Sequence, residues 1–407
     1  MKNIVILGAG FGGLRAAMDI SKELRRLKLL DAYAVTLVDH NDCHLYTPML
    51  YKLAASPENP SRNACSYDVS ALIKGYPIRF VESEIAAIDL INGDLHLKAG
   101  EEIRADYLVL ALGSETNFFG IPGLKENSLQ LKTVDGAMAI HEKIKAIFAR
   151  GGNVKIVAGG AGPNGIELAA EVRMWANKEE KRNPNLRVSV SIVEALPQVL
   201  TGMDSQVQKI AAHRLARLGV EVMLGAKIVS VSDKEISIDG GEKIPFDAFV
   251  WTGGVKTPDI LTQLPLQKEP HGKPVAQASM TCLPATPDLK LAPMIYAIGD
   301  SVCFMNPKTG HPMPAVAHVA ILEGSVAARN LVEEIKKTEF PNYQLQITDY
   351  VPSDYPYVVV AGSGWAVARI GPFVFSGWPG WAFESLVELY YLLSIMPFVA
   401  AVKTWLR

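Results

Sequence analysis

The sequence predicts an α/β fold with two Rossmann-type dinucleotide-binding domains and a distinct C-terminal segment. Three observations predict it. A buried-strand run at the N-terminus passes directly into a glycine loop and a helix, the same pattern returns from Val154, and the composition changes character near residue 345. At 407 residues the chain is too long for one ordinary core, so two or three domains are expected on length alone.

Asn3-Ile4-Val5-Ile6-Leu7 is an unbroken apolar run of the kind a parallel strand needs when both its faces are covered. Gly8-Ala9-Gly10-Phe11-Gly12-Gly13 follows at once, and Leu14-Arg15-Ala16-Ala17-Met18 opens a helix. Gly8 suits a tight turn, Gly10 a close approach of backbone to a pyrophosphate, and Gly13 close packing of helix on strand. The helix N-terminus then meets the phosphates with partial positive charge. A second strand, Ala34 to Val38, ends in Asp39, placed to hydrogen-bond the ribose hydroxyls of a dinucleotide.

The second copy reads Val154 to Ala158, then Gly160-Ala161-Gly162-Pro163-Asn164-Gly165, then a helix through Ile166 to Val172. Its following strand, Val188 to Val193, ends in Glu194. A repeated fingerprint with glycines and acid intact implies two dinucleotides. The carboxylate of Glu194 repels a 2′-phosphate, which favours NADH over NADPH.

Composition narrows the class. Hydrophobic residues at 49%, charged residues at 20% and a net charge of −2 without long basic runs point to a globular protein and away from nucleic acid. The one dense charge run, Lys178 to Arg182 before Asn183-Pro184, reads as a solvated loop after a helix. Cys43, Cys65, Cys282 and Cys303 show neither CxxC nor metal-ligand spacing, so no metal site is expected. The strand beginning at the second residue argues against a signal peptide, and free thiols fit the cytosol or the cytoplasmic side of a membrane.

Further stretches carry a resemblance. Tyr107 to Ser114 resembles the strand and loop with which two-dinucleotide flavoproteins of the glutathione-reductase type leave the FAD domain, and Ile295-Tyr296-Ala297-Ile298-Gly299-Asp300 resembles their second FAD motif. Val38-Asp39-His40 through Cys43-His44, Tyr46-Thr47-Pro48, Val157 to Glu167, Val193-Glu194-Ala195 and Trp251-Thr252-Gly253-Gly254-Val255 are similar to type II NADH:quinone oxidoreductases. That family consists of single-subunit NADH dehydrogenases that do not pump protons.

The resemblance implies that FAD is held by Gly8, Gly10, Phe11, Gly12, Gly13, Asp39, His40, Thr47, Ile85, Ala111, Gly113, Gly299, Asp300 and Ala317. It implies that NADH is held by Gly160, Gly162, Pro163, Asn164, Gly165, Glu194, Gly253 and Gly254. Glu167 is the expected catalytic side chain, as a contact for NADH or a proton relay to quinone; the competing reading is an acid that suits the helix dipole. Cys43 lies where one single-cysteine branch keeps a redox thiol, although the flanking Asp42, His44 and Tyr46-Thr47-Pro48 fit the quinone reductases better.

One departure concerns the acceptor. The family carries Ala-Gln-x-Ala-x-Gln near the quinone entrance, where this chain reads Ala317-His318-Val319-Ala320-Ile321-Leu322, followed by Glu323-Gly324. His318 can replace the first glutamine's hydrogen bond to a quinone; Leu322 cannot replace the second. A soluble reductase with a protein or disulfide acceptor, and a non-catalytic redox sensor that binds NADH, stay open as alternatives.

The last segment looks interfacial. Trp365, Trp378, Trp381 and Trp405 all follow residue 345, and Lys403 and Arg407 flank an apolar stretch. Leu389 to Val402 is uncharged but carries Pro397 and falls short of the ~20 apolar residues a spanning helix needs. A peripheral protein on the cytoplasmic face of the cell membrane is expected, with the same segment serving a homodimer. The expected domains are FAD-binding at 1–115 and 286–345, NADH-binding at 116–285, and the membrane and dimer segment at 346–407.

Overall fold

The computed structural model describes residues 1–58 and 60–406. In chain order the elements used below begin with strand β1 (Lys2–Leu7), helix α1 (Phe11–Leu27), β2 (Tyr33–Asp39), α2 (Leu50–Ala55), β3 (Ile78–Glu82) and β4 (Tyr107–Leu110). Next come β5 (Leu129–Gln130), α3 (Val134–Arg150), β6 (Gly152–Gly159), α4 (Pro163–Arg182), β7 (Leu186–Glu194), α5 (Ser205–Leu218), β8 (Val220–Leu224) and β9 (Ala248–Trp251). The chain closes with β10 (Met294–Ala297), α6 (Ala317–Glu339), β11 (Tyr357–Val360), β12 (Ala366–Ile370), β13 (Phe373–Gly377), α7 (Trp378–Ile395) and α8 (Phe398–Trp405).

These elements form two compact units. The first holds residues 1–44, 67–115 and 256–353, and the second 45–66, 116–255 and 354–407. Residues 256–285 thus lie in the first unit, not with the second dinucleotide domain as expected. Backbone bonds explain this: Cys282 N donates to Ile295 O (2.9 Å), Ala297 N to Met280 O (3.0 Å) and Cys303 N to Pro274 O (2.7 Å), stitching this stretch to β10 and its exit.

In the first unit a five-stranded parallel sheet runs β10-β4-β1-β2-β3. Ile4 to Leu7 are fully buried, which is why the run carries no polar alternation. Leu7 pairs with Val38 on one side and Leu110 on the other, so the chain reverses direction of winding at the carboxyl end of β1. That is the crevice where doubly wound sheets take ligands. Helix α1 buries Leu14, Ala17, Ile20 and Leu24, at helical spacing. It packs on α6, and a Cβ on Gly324 would press into the Gly12 backbone, so both glycines serve the helix crossing.

The second unit repeats this plan as β5-β9-β6-β7-β8, again all parallel. The charge run at Lys178 to Arg182 is not the solvated loop expected but the last turn of α4. Lysine, arginine and glutamate are good helix formers, and Arg182 pairs with Glu179 at 2.9 Å across one turn.

The C-terminal residues from Asp354 are part of the second unit. Strands β11, β12 and β13 make an antiparallel sheet on which α7 packs. Arg214 of α5 donates to Ala361 O (3.0 Å), Tyr46 stacks on Tyr391 of α7 with ring centroids 5.2 Å apart, and Lys52 of α2 meets Glu384 of α7 at 3.3 Å. Pro397 separates α7 from α8, and among the described residues no helix is long and apolar enough to cross a membrane.

Ending the chain after Gly377 is therefore expected to destabilise the second unit. By circular dichroism its melting temperature should fall by about 5 °C or more, whereas a detachable anchor would leave it unchanged.

Candidate functional site

The two glycine loops are built alike. Gly8 and Gly160 take φ of +108° and +104°, a region that favours glycine, and at both positions a Cβ would meet backbone from the neighbouring strand's exit loop. A Cβ on Gly13 would overlap the Gly8 carbonyl, and one on Gly165 the Gly160 carbonyl. Gly10 and Gly162 are the N-caps of α1 and α4; neither helix has a side-chain cap, and a Cβ at either glycine would meet nothing within 4 Å. Each helix thus begins with amides facing open space, which fits a pyrophosphate. Pro163 and Asn164 are exposed beside the second loop.

The acids close each loop. Asp39 accepts from Ala9 N (2.7 Å) and Asn41 N (2.9 Å). Glu194 accepts from Ala161 N (2.6 Å) and Leu196 N (2.8 Å). Burial raises the Asp39 pKa, but hydrogen bonds from His40, Ala9 and Asn41 outweigh it and hold the carboxyl below its usual range. His40 is exposed, its Nδ1 3.2 Å from Asp39. The alanine carbonyls are held differently. Ala161 O accepts from Leu200 N (2.9 Å), while Ala9 O lies 2.8 Å from Nδ1 of His44, a fully buried ring set edge-on to Phe11. His44 thus supports the first loop, a role that its place in the sequence does not reveal.

At the carboxyl ends of β4 and β10, two exit turns are tied together. Gly113 N donates to Ser301 Oγ (2.7 Å) and Ser114 Oγ to Asp300 (2.7 Å). Ala111 N donates to Leu7 O (2.9 Å), so Gly8, Ala111, Gly113, Gly299 and Asp300 converge on one edge of the first unit. Gly299 N in turn donates to Glu323 of α6 at 2.6 Å. Glu323 is 1% exposed, and burial pushes its pKa up to about 7. Sequence reasoning missed it, although an acid on the buried stripe Val319, Ala320, Gly324, Ala327 was the available signal.

Ala317 is the first residue of α6; His318 is exposed and Leu322 half-buried in the turns that follow. Partial desolvation lowers the His318 pKa, so its ring is neutral at pH 7. Ile85 starts an antiparallel strand in the first unit, just after Ser83 N donates to Asp39 O (2.8 Å). Thr47 is exposed and belongs to the second unit. Cys43 donates to Asp42 (2.9 Å), and burial with that neighbour pushes its thiol up to about 11, the opposite of an activated redox thiol.

In the second unit Thr252-Gly253-Gly254 packs on the glycine loop. Thr252 N and Oγ1 both donate to Gly159 O, at 2.8 and 2.9 Å, and a Cβ on Gly160 would stand 2.8 Å from Gly253 Cα. Trp251 is structural: its Nε1 donates to Asn117 O (2.7 Å), and its ring fills the space that Gly159 and Gly253 leave.

Glu167 lies in the second turn of α4, turned inward. It is 8% exposed, accepts from Val360 N (3.3 Å), and burial pushes its pKa up to about 8. A carboxyl whose burial favours its neutral form interacts little with the helix dipole. Glu171, bonded by Ser363 (2.8 Å), and the Lys52–Glu384 pair act on it electrostatically; burial raises Glu171 as well, and also Glu388 of α7, which feels Lys52 and Glu384. Tyr51 is 2% exposed, its hydroxyl has no hydrogen-bond partner among the described residues, and after burial itself Glu384, Glu167, Glu171 and Glu388 do most to raise its pKa. An unmade buried bond costs roughly 1–3 kcal/mol. The C-terminal segment thus contributes two acids to this cluster.

A family model described as pyridine nucleotide-disulphide oxidoreductase matches residues 2–324. The chain belongs to this family. Among its relatives, the type II NADH:quinone oxidoreductase of Staphylococcus saprophyticus is 27% identical, with 81% of this chain and 82% of that protein covered. The mitochondrial external alternative NAD(P)H-ubiquinone oxidoreductase B3 of Arabidopsis thaliana is 26% identical over 80% of this chain and 58% of its own. The solved structure of NDH2 from Plasmodium falciparum in complex with NADH shares the fold at a TM-score of 0.82 and 16% identity, covering 100% of this chain and 97% of that one. The sulfide:quinone oxidoreductase of Aquifex aeolicus shares it at 0.76 and 17%, over 97% and 91%. All four cysteines are free, so this member keeps the family architecture without a disulfide.

The raised Glu167 pKa has a thermodynamic consequence. Its folded value, about 8, lies above the 4.5 of an ordinary glutamate, so its stabilisation is full below about pH 4.5 and is lost as pH rises through about 8. Thermal melts should therefore fall between about pH 5 and 8 for the native protein and fall less for Glu167→Gln. Equal slopes would show that Glu167 is ionised at neutral pH.

Proposed function

We propose that the chain is a peripheral membrane NADH:quinone oxidoreductase, a single-subunit enzyme that does not pump protons. FAD and NADH are its cofactors, as family and relatives imply. Bound FAD supplies the two-electron chemistry, accepting electrons from NADH and passing them to the acceptor. The first glycine loop, with Gly299-Asp300, fits the flavin dinucleotide, and the second, with Glu194 and Gly253-Gly254, fits NADH.

The observation that carries the quinone half is Glu167. Reduction of a quinone by NADH consumes one proton beyond the hydride, and Glu167 is a buried carboxyl holding a proton at neutral pH. Glu384, Lys52 and Glu171 act on it electrostatically and are groups able to pass a proton on. His318 offers a neutral N–H for a quinone carbonyl. The exposed Trp378, Tyr390, Phe398, Val399 and Leu406 make the C-terminal helices a surface for the membrane interface, and a homodimer would draw on the same segment.

Stopped-flow spectroscopy separates the two half-reactions. Flavin reduction should be faster with NADH than with NADPH, and Glu194→Gln should lower the NADH:NADPH ratio of kcat/KM about tenfold. A native preference for NADPH would remove Glu194 from its role. Flavin reoxidation by a soluble quinone should decline above about pH 8 in the native enzyme. In Glu167→Gln it should be slow and flat with pH, and in His318→Ala slowed roughly two- to tenfold, with reduction by NADH preserved in both. Reoxidation insensitive to both variants, together with rapid turnover of a disulfide or protein acceptor, would replace the quinone reading.

A further inference from the structure

Helix α5 carries a charged stripe that the redox chemistry does not use. Val207, Ala211 and Leu215 are its buried face. On the other side Lys209, His213 and Arg217 repeat every fourth residue, with Ile210 and Arg214 beside them. These five side chains, with Trp365 and Ser376, line a cleft of about 350 Å³, and none of the lining residues is acidic. That volume is at the small end for a ligand site, ~300–1,000 Å³.

Arg214 is held in place. Its Nε donates to Ala361 O (3.0 Å) and its guanidinium lies 5.1 Å from the centre of the Trp365 ring. Burial lowers its pKa, and repulsion from Arg217 lowers it further. The cleft therefore concentrates positive charge, partly out of water, with a pre-set guanidinium at its base. Such a site suits a phosphate, which arginine grips with paired N–H groups and lysine with a point charge.

The position of the cleft selects the source of that phosphate. Ser376 lies two residues before Trp378, which opens α7 and is 68% exposed. An exposed tryptophan so close in the chain to a basic cleft matches the two layers of a membrane surface, acyl boundary and headgroup.

We propose that this cleft binds the phosphate of an anionic phospholipid headgroup, so that the second unit docks preferentially on negatively charged membrane. The inference rests on the membrane reading above.

Co-sedimentation of the FAD-loaded full chain tests both separately. The vesicles are phosphatidylcholine alone, or phosphatidylcholine with phosphatidylglycerol. The native enzyme should bind both kinds and prefer the anionic one, with the preference fading in high salt. A Lys or Arg near a charged surface is worth about fivefold in binding. Lys209→Gln with Arg217→Gln should thus weaken binding to anionic vesicles roughly 25-fold. Binding to neutral vesicles and NADH-driven reduction of a soluble dye should stay unchanged, and Arg217→Lys should retain most of the preference. Equal binding to both vesicle types, or equal loss on both in the double variant, overturns the cleft and leaves the membrane reading standing. Displacement from anionic vesicles by millimolar glycerol phosphate would overturn it too, as a site for free phosphate. No binding to either vesicle sinks both.

Discussion

In each unit a carboxylate at the end of the second strand holds the amide inside the glycine loop, Asp39 on Ala9 and Glu194 on Ala161. These bonds join the first crossover of each sheet to the helix N-terminus that faces the ligand. A charge-assisted hydrogen bond of this kind is worth about 1.5–3 kcal/mol, enough to keep a loop with positive φ at Gly8 and Gly160 in one shape. The second acceptor oxygen is occupied as well, by Asn41 N and Leu196 N. Ribose hydroxyls, the partners expected from the sequence, would share carboxylates that already have structural work.

The duplication does not extend to the support behind the loops. Leu200, with a positive φ of 50°, supplies a backbone donor to the second loop, whereas the buried ring of His44 stands against the first. The first loop is thus tied to an aromatic pair with Phe11, and the second to the backbone after β7. Two loops of one design rest on different supports.

Local signals explain which parts were legible in the sequence. Strand, glycines, helix and terminal acid lie within one stretch of chain, so β1, α1, β2 and their copies β6, α4, β7 could be read within a few residues. Lys178 to Arg182 was misread because charge alone separates a loop from an exposed helical turn poorly. The Glu167 cluster draws on α2, α4, β11 and α7, which no spacing rule connects. Glu323 was within reach, since a carboxyl on a buried helical stripe requires a partner, and Gly299 N is that partner. Residues from Asp354 onward read as an interfacial segment by composition; their packing on α4 and α5 depends on contacts across nearly two hundred positions, such as Ser363 with Glu171.

The central claim is that two separate loops, each locked by its own acid, hold two dinucleotides. Its most direct measurement is the flavin content of purified Asp39→Asn and Glu194→Gln together with NAD⁺ binding by calorimetry. The account predicts a double dissociation: Asp39→Asn loses flavin and still binds NAD⁺, while Glu194→Gln keeps flavin and binds NAD⁺ about tenfold more weakly. Loss of both ligands from either variant, with the fold intact by circular dichroism, would contradict it.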